Sequence, residues 1–149
     1  MQPYPHLYVV SASGQPTGAV PVSSPQLAEI STAPPAEFGG PGDLWSPETL
    51  LCASVADCFI LTFRAVARAA KLPWTELSCR VDGTLDRAEG VTRFVSYVTH
   101  AALTITEPAD ADKARQLLEK AEHGCLIANS LTGTRELRAE IVVAPARAD

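Results

Sequence analysis

The most pronounced feature of the hydrophobic pattern is one long segment, Leu50–Phe63, in which nearly every residue is apolar or small. The preceding Ser46–Glu48 is typical of a helix start, because serine caps a helix, proline suits its first position and a carboxylate is favoured in its first turn. Since Pro73 stops a helix, the pattern predicts one over Pro47–Lys71. A helix that is apolar all round needs cover all round. A chain of 149 residues can hardly supply that cover alone, so we expect a second subunit to cover part of the helix.

The segments before this helix are predicted to be short strands followed by a loop. β-Branched residues bounded by glycine and proline indicate strands at Leu7–Ser13 and Gly18–Ser23, and alternation indicates a third at Gln26–Thr32. Ala33–Pro47 then contains four prolines and three glycines. Proline removes a backbone donor and glycine permits positive φ, so this segment is predicted to be a loop that leads into the helix.

The second half of the chain is predicted to contain strands and helices in succession. The elements are strands Glu76–Asp86 and Val91–Glu107 joined by a turn at Arg87–Gly90, an amphipathic helix Asp110–Glu122, a short helix or turn Cys125–Leu131 and a strand Arg135–Ala144. The positions expected to face the core are Val91, Val95, Tyr97, Ala101, Leu103 and Ile105 on the second strand, Ala114, Leu117, Leu118 and Ala121 on the helix, and Leu137, Ala139, Ile141 and Val143 on the last strand. This order predicts an α+β protein, folded as a single domain over residues 1–149.

Composition and charge exclude several classes of protein. An apolar fraction of 46% with 19% charged residues is typical of a globular chain rather than a disordered one. The net charge of −5 provides no basic surface for nucleic acid or for an anionic membrane. The first 25 residues lack lysine and arginine, unlike a signal peptide, and Asp57, Arg64 and Arg68 interrupt the apolar run Leu50–Ala70, which argues against a spanning helix. We therefore expect a soluble, cytoplasmic protein whose four cysteines are reduced.

Two cysteines are the candidates for chemistry, although each is also consistent with simple packing. Cys58 lies in the middle of the predicted apolar helix, where a free cysteine is most often a small buried residue. Cys125 follows Gly124, which can start a new helix whose N-terminus would lower the pKa of the thiol. His123 is a candidate base, but a solvated position at a helix end is its more ordinary role.

A metal site is not expected, because the potential ligands lack the close spacing of zinc motifs. Cys52 and Cys58 are six residues apart and point to different faces of a helix, and Cys79 is alone. The histidines are scattered, at His6, His100 and His123. No phosphate-binding loop and no serine nucleophile elbow is found in the sequence. The sequence thus predicts no bound metal.

Two motifs together resemble a known family. The segment FGGPGDLWSPETLLCASVADCFILTF places Cys58 ten residues after Glu48, and the later segment EKAEHGCLIANSL places Cys125 before an apolar-Ile-x-Asn-Ser-Leu pattern. A two-strand segment and an amphipathic helix separate the two motifs. In both motifs and in element order, nearly the whole chain resembles the OsmC/Ohr family of thiol peroxidases, which includes organic hydroperoxide resistance proteins.

The resemblance implies both a fold and a reaction. It implies an intertwined homodimer with long, buried central helices flanked by antiparallel sheets and with active sites at the dimer interface. By the motifs, Cys58 would be the peroxidatic thiol, Cys125 the resolving thiol and Glu48 the carboxylate that orients an arginine. The substrate would be an organic hydroperoxide, the reductant a dithiol, and sulfur would carry the electrons without a bound cofactor.

The sequence departs from this family at two positions that bear on reactivity. The family supplies an arginine from the loop before the helix, but this chain has no Arg or Lys before Arg64. Asp57 also adjoins Cys58, and a nearby negative charge disfavours a thiolate. We therefore expect no group to compensate for the burial of Cys58, and its thiol to titrate nearer the ordinary value of about 8.5 than the strongly activated range of about 3.5–7.5. Two alternatives to an active peroxidase stay open: a binding or vestigial protein of the same fold, and a purely structural dimer.

Overall fold

The computed structural model describes residues 1–144, which form an α+β fold with one long helix and two three-stranded sheets. The strands are β1 (Ser11–Ala12), β2 (Val20–Ser23), β3 (Ile30–Thr32), β4 (Glu76–Ala88), β5 (Val91–Ile105) and β6 (Thr134–Val143), and the helices are α1 (Pro47–Ala70), α2 (Ala111–Gly124) and α3 (Leu126–Asn129). By its contacts the chain forms two compact units, one of Met1–Leu51 and one that begins at Cys52. The predicted α+β class is confirmed.

The first unit contains the small antiparallel sheet β1–β2–β3. Its strands are shorter than the sequence predicts, because β1 pairs only Ser11 with Ser23 and Ala12 with Val22. The residues of 7–10, although apolar, lie outside any strand and are exposed. The predicted loop is confirmed, and it contains a single 3-10 turn at Ala36–Phe38.

The start of α1 is capped as predicted. The Thr49 N–H donates to Ser46 Oγ at 3.1 Å, and the Ser46 N–H donates to Thr49 Oγ1 at 2.9 Å. This reciprocal pair satisfies two backbone donors at the helix start. The helix ends at Ala70, one residue before the predicted end.

Only one stripe of α1 is buried in the single chain. The buried residues are spaced by four, at Val55, Phe59, Phe63 and Ala67, whereas Leu61 on another face is 51% exposed. By length and mean hydropathy, 1.8 over its most apolar part, α1 could also cross a membrane. The core helix of a soluble protein meets the same test. A single chain therefore leaves part of this helix uncovered, as its all-round apolar surface led us to expect.

The second unit contains the sheet β4–β5–β6, and this sheet is mixed. β4 and β5 form a long antiparallel hairpin, confirming the predicted strand pair, but β6 pairs with β5 in parallel. The family resemblance implied antiparallel sheets, and this pairing corrects it. The reason is the connection: a crossover through α2 and α3 joins β5 to β6, and such a crossover permits parallel pairing.

The core of this unit lies between the helices and one end of the sheet. The predicted inward face of α2 is confirmed, since Ala114, Leu117, Leu118 and Ala121 are all buried. They pack in one cluster with Phe59, Phe63, Leu103 and Ile105. Val91 and Val143 were expected in the core but are 58% and 42% exposed. Both lie at strand ends, and Val91 follows the hairpin turn, away from this cluster.

Candidate functional site

The fold brings together the two cysteines that the motifs single out. Cys58 lies on α1, and Cys125 occupies the bend between α2 and α3, with φ −66° and ψ 107°. The two thiols are hydrogen-bonded to each other. They share a small apolar cluster whose members are Val55, Cys58, Val81, Cys125, Ala128 and Leu131. Two distant segments of the sequence thus form one dithiol site.

Neutral donors surround the sulfur of Cys58. The backbone N–H groups of Leu126 and Ile127, at the start of α3, bond to it, and Thr62 Oγ1 lies 3.9 Å away, one turn further along α1. Burial raises the pKa of the Cys58 thiol, but the hydrogen bonds from Ile127, Cys125, Thr62 and Leu126 outweigh it and hold the pKa below its ordinary value. Donors of this kind stabilise the thiolate more than the thiol.

The lowered pKa of Cys58 shows that its burial is compensated, whereas the expectation from the sequence was that no group compensates for it. That expectation considered only a cation as the compensating group, whereas the structure supplies uncharged donors. The helix start after Gly124 was expected to activate Cys125, and hydrogen bonds from the N–H groups of Ala128 and Ile127 do lower the pKa of that thiol, but burial outweighs them. The N–H groups of Ile127 and Leu126 also bond to Cys58, where the hydrogen bonds outweigh burial. Asp57 is exposed, and it is not among the causes of the shift at Cys58.

Cys125 has the opposite character. It is 1% exposed, and its thiol lies 3.9 Å from the carbonyl oxygen of Val55. Burial raises the pKa of Cys125, and a negative charge on Cys58 raises it further. The pair therefore consists of one partly exposed thiol that ionises more easily and one buried thiol that keeps its proton.

The other two cysteines have packing environments. Cys52 lies against Gly83 of β4, so close that a Cβ added to Gly83 would be 2.6 Å from the Cys52 sulfur. Burial raises the pKa of Cys52, and burial raises that of Cys79 to about 11, with a further contribution from nearby Cys125. Cys79 was expected to be isolated, but it lies on β4 near Cys125.

Arg135 is a residue at this site that the sequence reasoning missed. Its guanidinium bonds to Glu122 and Asn129, which flank Cys125 on the two sides of the bend. A signal was available: on β6 the inward positions are Arg135, Leu137, Ala139 and Ile141 in the alternating burial pattern. A charged residue in an inward register indicates a partly buried partner.

The remaining candidates are placed differently. The carboxylate oxygen Oε2 of Glu48 is buried and, within residues 1–144, has no hydrogen-bond partner. His123 is exposed, and its Nδ1 donates to the Glu119 carbonyl at 2.8 Å, which makes it a helix-end residue rather than a base at the dithiol. Over the described part of the chain, no group of three or more His, Cys, Asp or Glu side chains is placed to hold a metal ion.

The family is shown by the sequence comparison. The family model described as OsmC-like protein matches residues 40–140, which include Glu48, Cys58 and Cys125. The chain therefore belongs to the OsmC-like protein family. An uncharacterized protein of Bacillus subtilis, YmaD, is 28% identical over 112 residues, which cover 73% of this chain and 75% of YmaD.

Solved structures agree with this assignment. An organic hydroperoxide resistance protein, OsmC, of Legionella pneumophila is 26% identical, with a TM-score of 0.73 over 93% of this chain and 98% of that one. An OsmC-like protein of unknown function from Vibrio cholerae has a TM-score of 0.78 over 92% and 99% of the two chains, at 15% identity, which shows the fold alone. Some members of the family are thus hydroperoxide resistance proteins, whereas others have no known function.

Proposed function

We propose that this protein is a thiol peroxidase that reduces organic hydroperoxides through Cys58 and Cys125. The observation that carries the proposal is the contact between the two thiols, in which the more exposed sulfur is the one that hydrogen bonds hold ready to ionise. A thiolate is the nucleophile in such chemistry. The similarity to the Legionella hydroperoxide resistance protein supports the same reaction class.

The reaction balances with these two residues and a dithiol. The Cys58 thiolate attacks one oxygen of the O–O bond, which breaks and, with one proton, releases an alcohol, leaving a sulfenic acid on Cys58. The sulfur of Cys125 then bonds to the sulfur of Cys58, and the sulfenic hydroxyl leaves as water with the Cys125 proton. An external dithiol reduces the resulting disulfide by exchange and is itself oxidised.

The apolar surroundings favour organic hydroperoxides as substrates. Val55, Val81, Ala128 and Leu131 line the cluster around the dithiol and offer contact to an alkyl or aryl group. Hydrogen peroxide has no such group to bury. In this proposal the protein acts in a reducing compartment such as the cytoplasm, where dithiol donors are present.

Glu48 has the role that the family resemblance implies, the orientation of a positively charged group. Its buried Oε2 needs a donor, because an unsatisfied buried carboxylate oxygen is costly. The first 63 residues contain no Arg or Lys, so the loop arginine of the family is not the donor. We assign this donor to a second subunit, in keeping with the homodimer that the family resemblance implies.

The test is consumption of cumene hydroperoxide with dithiothreitol as reductant. Cys58→Ser is expected to abolish turnover, and Cys125→Ser to allow one sulfenic acid per chain but little turnover. Cys52→Ala is the matched control, because it removes a thiol from the same helix outside the dithiol, and it is expected to keep near wild-type activity. Turnover that survives in Cys58→Ser would refute the proposal.

A binding protein of the same fold is the second candidate. The observation that favours it is the absence of the loop arginine that the family pairs with its carboxylate. For such a protein, the wild type would consume no hydroperoxide, and an apolar ligand would copurify with it. Mass spectrometry of the denatured protein extract detects that ligand.

A further inference from the structure

Arg135 links the last strand to both ends of the bend that carries Cys125. Its Nε donates to Glu122 Oε1 at 2.6 Å and its Nη1 donates to Asn129 Oδ1 at 2.7 Å. Its Nη2 donates to the backbone carbonyl of Glu122. We propose that Arg135 is a positioning residue, which holds the α2–α3 bend so that the N–H groups of Leu126 and Ile127 point at the Cys58 sulfur.

Arg135, Glu122 and Asn129 form a connected set of hydrogen bonds around the backbone of Cys125, which we call the bracket. The Glu122 carbonyl that receives Nη2 also accepts the Cys125 N–H at 3.3 Å, and the Cys125 carbonyl accepts the Asn129 N–H at 2.9 Å. Asn129 Nδ2 in turn donates to the carbonyl of His123 at 3.0 Å. One guanidinium thus restrains the backbone on both sides of Cys125.

The Arg135–Glu122 ion pair is more buried than a second arginine–glutamate pair on the same strand. The side chains of Arg135 and Glu122 are only 26% and 17% exposed. Those of Arg138 and Glu136 are 59% and 54% exposed, although their Nε–Oε1 distance, 2.7 Å, is similar. An exposed ion pair contributes little, whereas a partly buried pair with several charge-assisted bonds restrains its partners more strongly.

The effect on Cys58 is indirect. On α1, the group that faces the Cys58 sulfur is Thr62. On the bend, the groups that face it are Leu126, Ile127 and Cys125. β4 contributes the apolar Val81 to the cluster, and Cys79 lies near Cys125. Within residues 1–144, the titratable group that faces Cys58 is therefore Cys125. The donors that favour the thiolate are mostly on the segment that Arg135 restrains.

The test is the midpoint of Cys58 alkylation by iodoacetamide against pH, measured by peptide mass spectrometry on the full chain. In Arg135→Gln the midpoint is expected to rise by about one pH unit, so that the thiolate fraction at neutral pH falls about tenfold. Arg135→Lys keeps the charge but not the planar fork, and is expected to restore part of the shift. The profile of Cys52 in the same samples is the internal reference and is expected to stay unchanged.

Two further variants separate positioning from loss of folding. Arg138→Gln is the matched control, because it breaks an arginine–glutamate pair on the same strand without touching the bend, and it should leave the midpoint in place. Asn129→Ala removes one arm of the bracket and should raise the midpoint by a smaller amount, which decides the matter if Arg135→Gln does not fold. An unchanged midpoint in Asn129→Ala and in folded Arg135→Gln, or an equal rise in Arg138→Gln, would overturn the inference.

The inference rests on the proposed function in one respect: the peroxidase reaction is what the Cys58 thiolate would serve. Alkylation needs no peroxide, so the midpoint is measured whether or not the wild type consumes hydroperoxide. A wild type without peroxidase activity but with an Arg135-dependent midpoint would refute the function and leave the positioning role intact. The reverse result would refute only the positioning role.

Discussion

At the scale of single residues, the lowered pKa of Cys58 depends on uncharged donors. Burial alone favours the neutral thiol, and no arginine precedes residue 64 to oppose it. The N–H groups of Leu126 and Ile127, with the groups of Thr62 and Cys125, replace the missing cation. Each bond is modest in energy, but together they reverse the direction that burial sets.

The four cysteines are therefore expected to titrate in a defined order. The alkylation midpoint of Cys58 should lie below the ordinary thiol value, because its thiolate is hydrogen-bonded. The midpoints of Cys52 and Cys125 should lie above it, and that of Cys79 near 11, because burial disfavours their thiolates. At neutral pH, Cys58 should then carry the largest thiolate fraction. Peptide mass spectrometry of one pH series measures all four, and a Cys58 midpoint above that of Cys52 would contradict the order.

At the residue scale, the sequence could single out candidates only where a motif was available. Cys58 and Cys125 were singled out by two local patterns, and the fold brings them together. The donors to Cys58 were not predicted, because Leu126 and Ile127 act through their backbone, which side-chain identity does not reveal. Arg135 was missed for a related reason: its partners, Glu122 and Asn129, become neighbours only when β6 lies beside the bend.

At the scale of elements, regular amphipathic segments were predicted closely and short ones were not. α2 has its four expected residues buried, and α1 begins and ends within one residue of its predicted limits. β1 has only two residues, because only two of its residues pair with β2. The composition of a short segment does not reveal where such pairing stops. The parallel pairing of β6 was likewise invisible to periodicity, since both directions give the same alternation of apolar and polar residues.

The approach of β4 to α1 depends on the glycine at position 83. A Cβ there would lie 2.6 Å from the Cys52 sulfur and 2.9 Å from a ring carbon of Phe94. Both distances are too short for real contacts, so a side chain would force one neighbour to move. This close packing gives Cys52 a structural role that the motifs did not supply.

Gly83→Ala is expected to lower the free energy of unfolding by about 1–3 kcal/mol, the usual cost of overpacking. In a Cys52→Ala background the cost should be smaller, because the nearer of the two clashing groups is then absent. Denaturant unfolding of the two single variants and the double variant measures this coupling. If the two substitutions changed the free energy of unfolding additively, the Cys52 sulfur would not oppose a side chain at position 83, contrary to the close packing described.

At the scale of the whole molecule, the exposed apolar surface of α1 is the main unexplained feature of a single chain. One stripe of the helix is buried, whereas Leu61 is 51% exposed. Asp57 and Arg64, both exposed, interrupt the apolar surface of the helix and oppose its burial in lipid. A second copy of the chain covers such a helix without burying an unpaired charge in hydrocarbon, so a homodimer accounts for this surface best.

The protein is expected to behave as a homodimer at micromolar concentration, with a light-scattering mass about twice 15.8 kDa. Leu61→Asp should shift it towards the monomer, because the new carboxylate would lose water in the interface. Gln116→Asp places the same charge on the exposed face of α2 and should leave the mass unchanged. A wild-type mass of one chain, or an equal shift in both variants, would contradict the dimer assignment.

The central claim is that Cys58 and Cys125 form one redox pair, and the most direct test is a disulfide map after a single oxidation. Fully reduced protein, whose four cysteines are free thiols, is treated with one equivalent of cumene hydroperoxide per chain and digested under acid. Mass spectrometry is predicted to find a Cys58–Cys125 disulfide, with Cys52 and Cys79 still reduced. Four unreacted thiols, or a disulfide that joins Cys52 to Cys79, would contradict the claim.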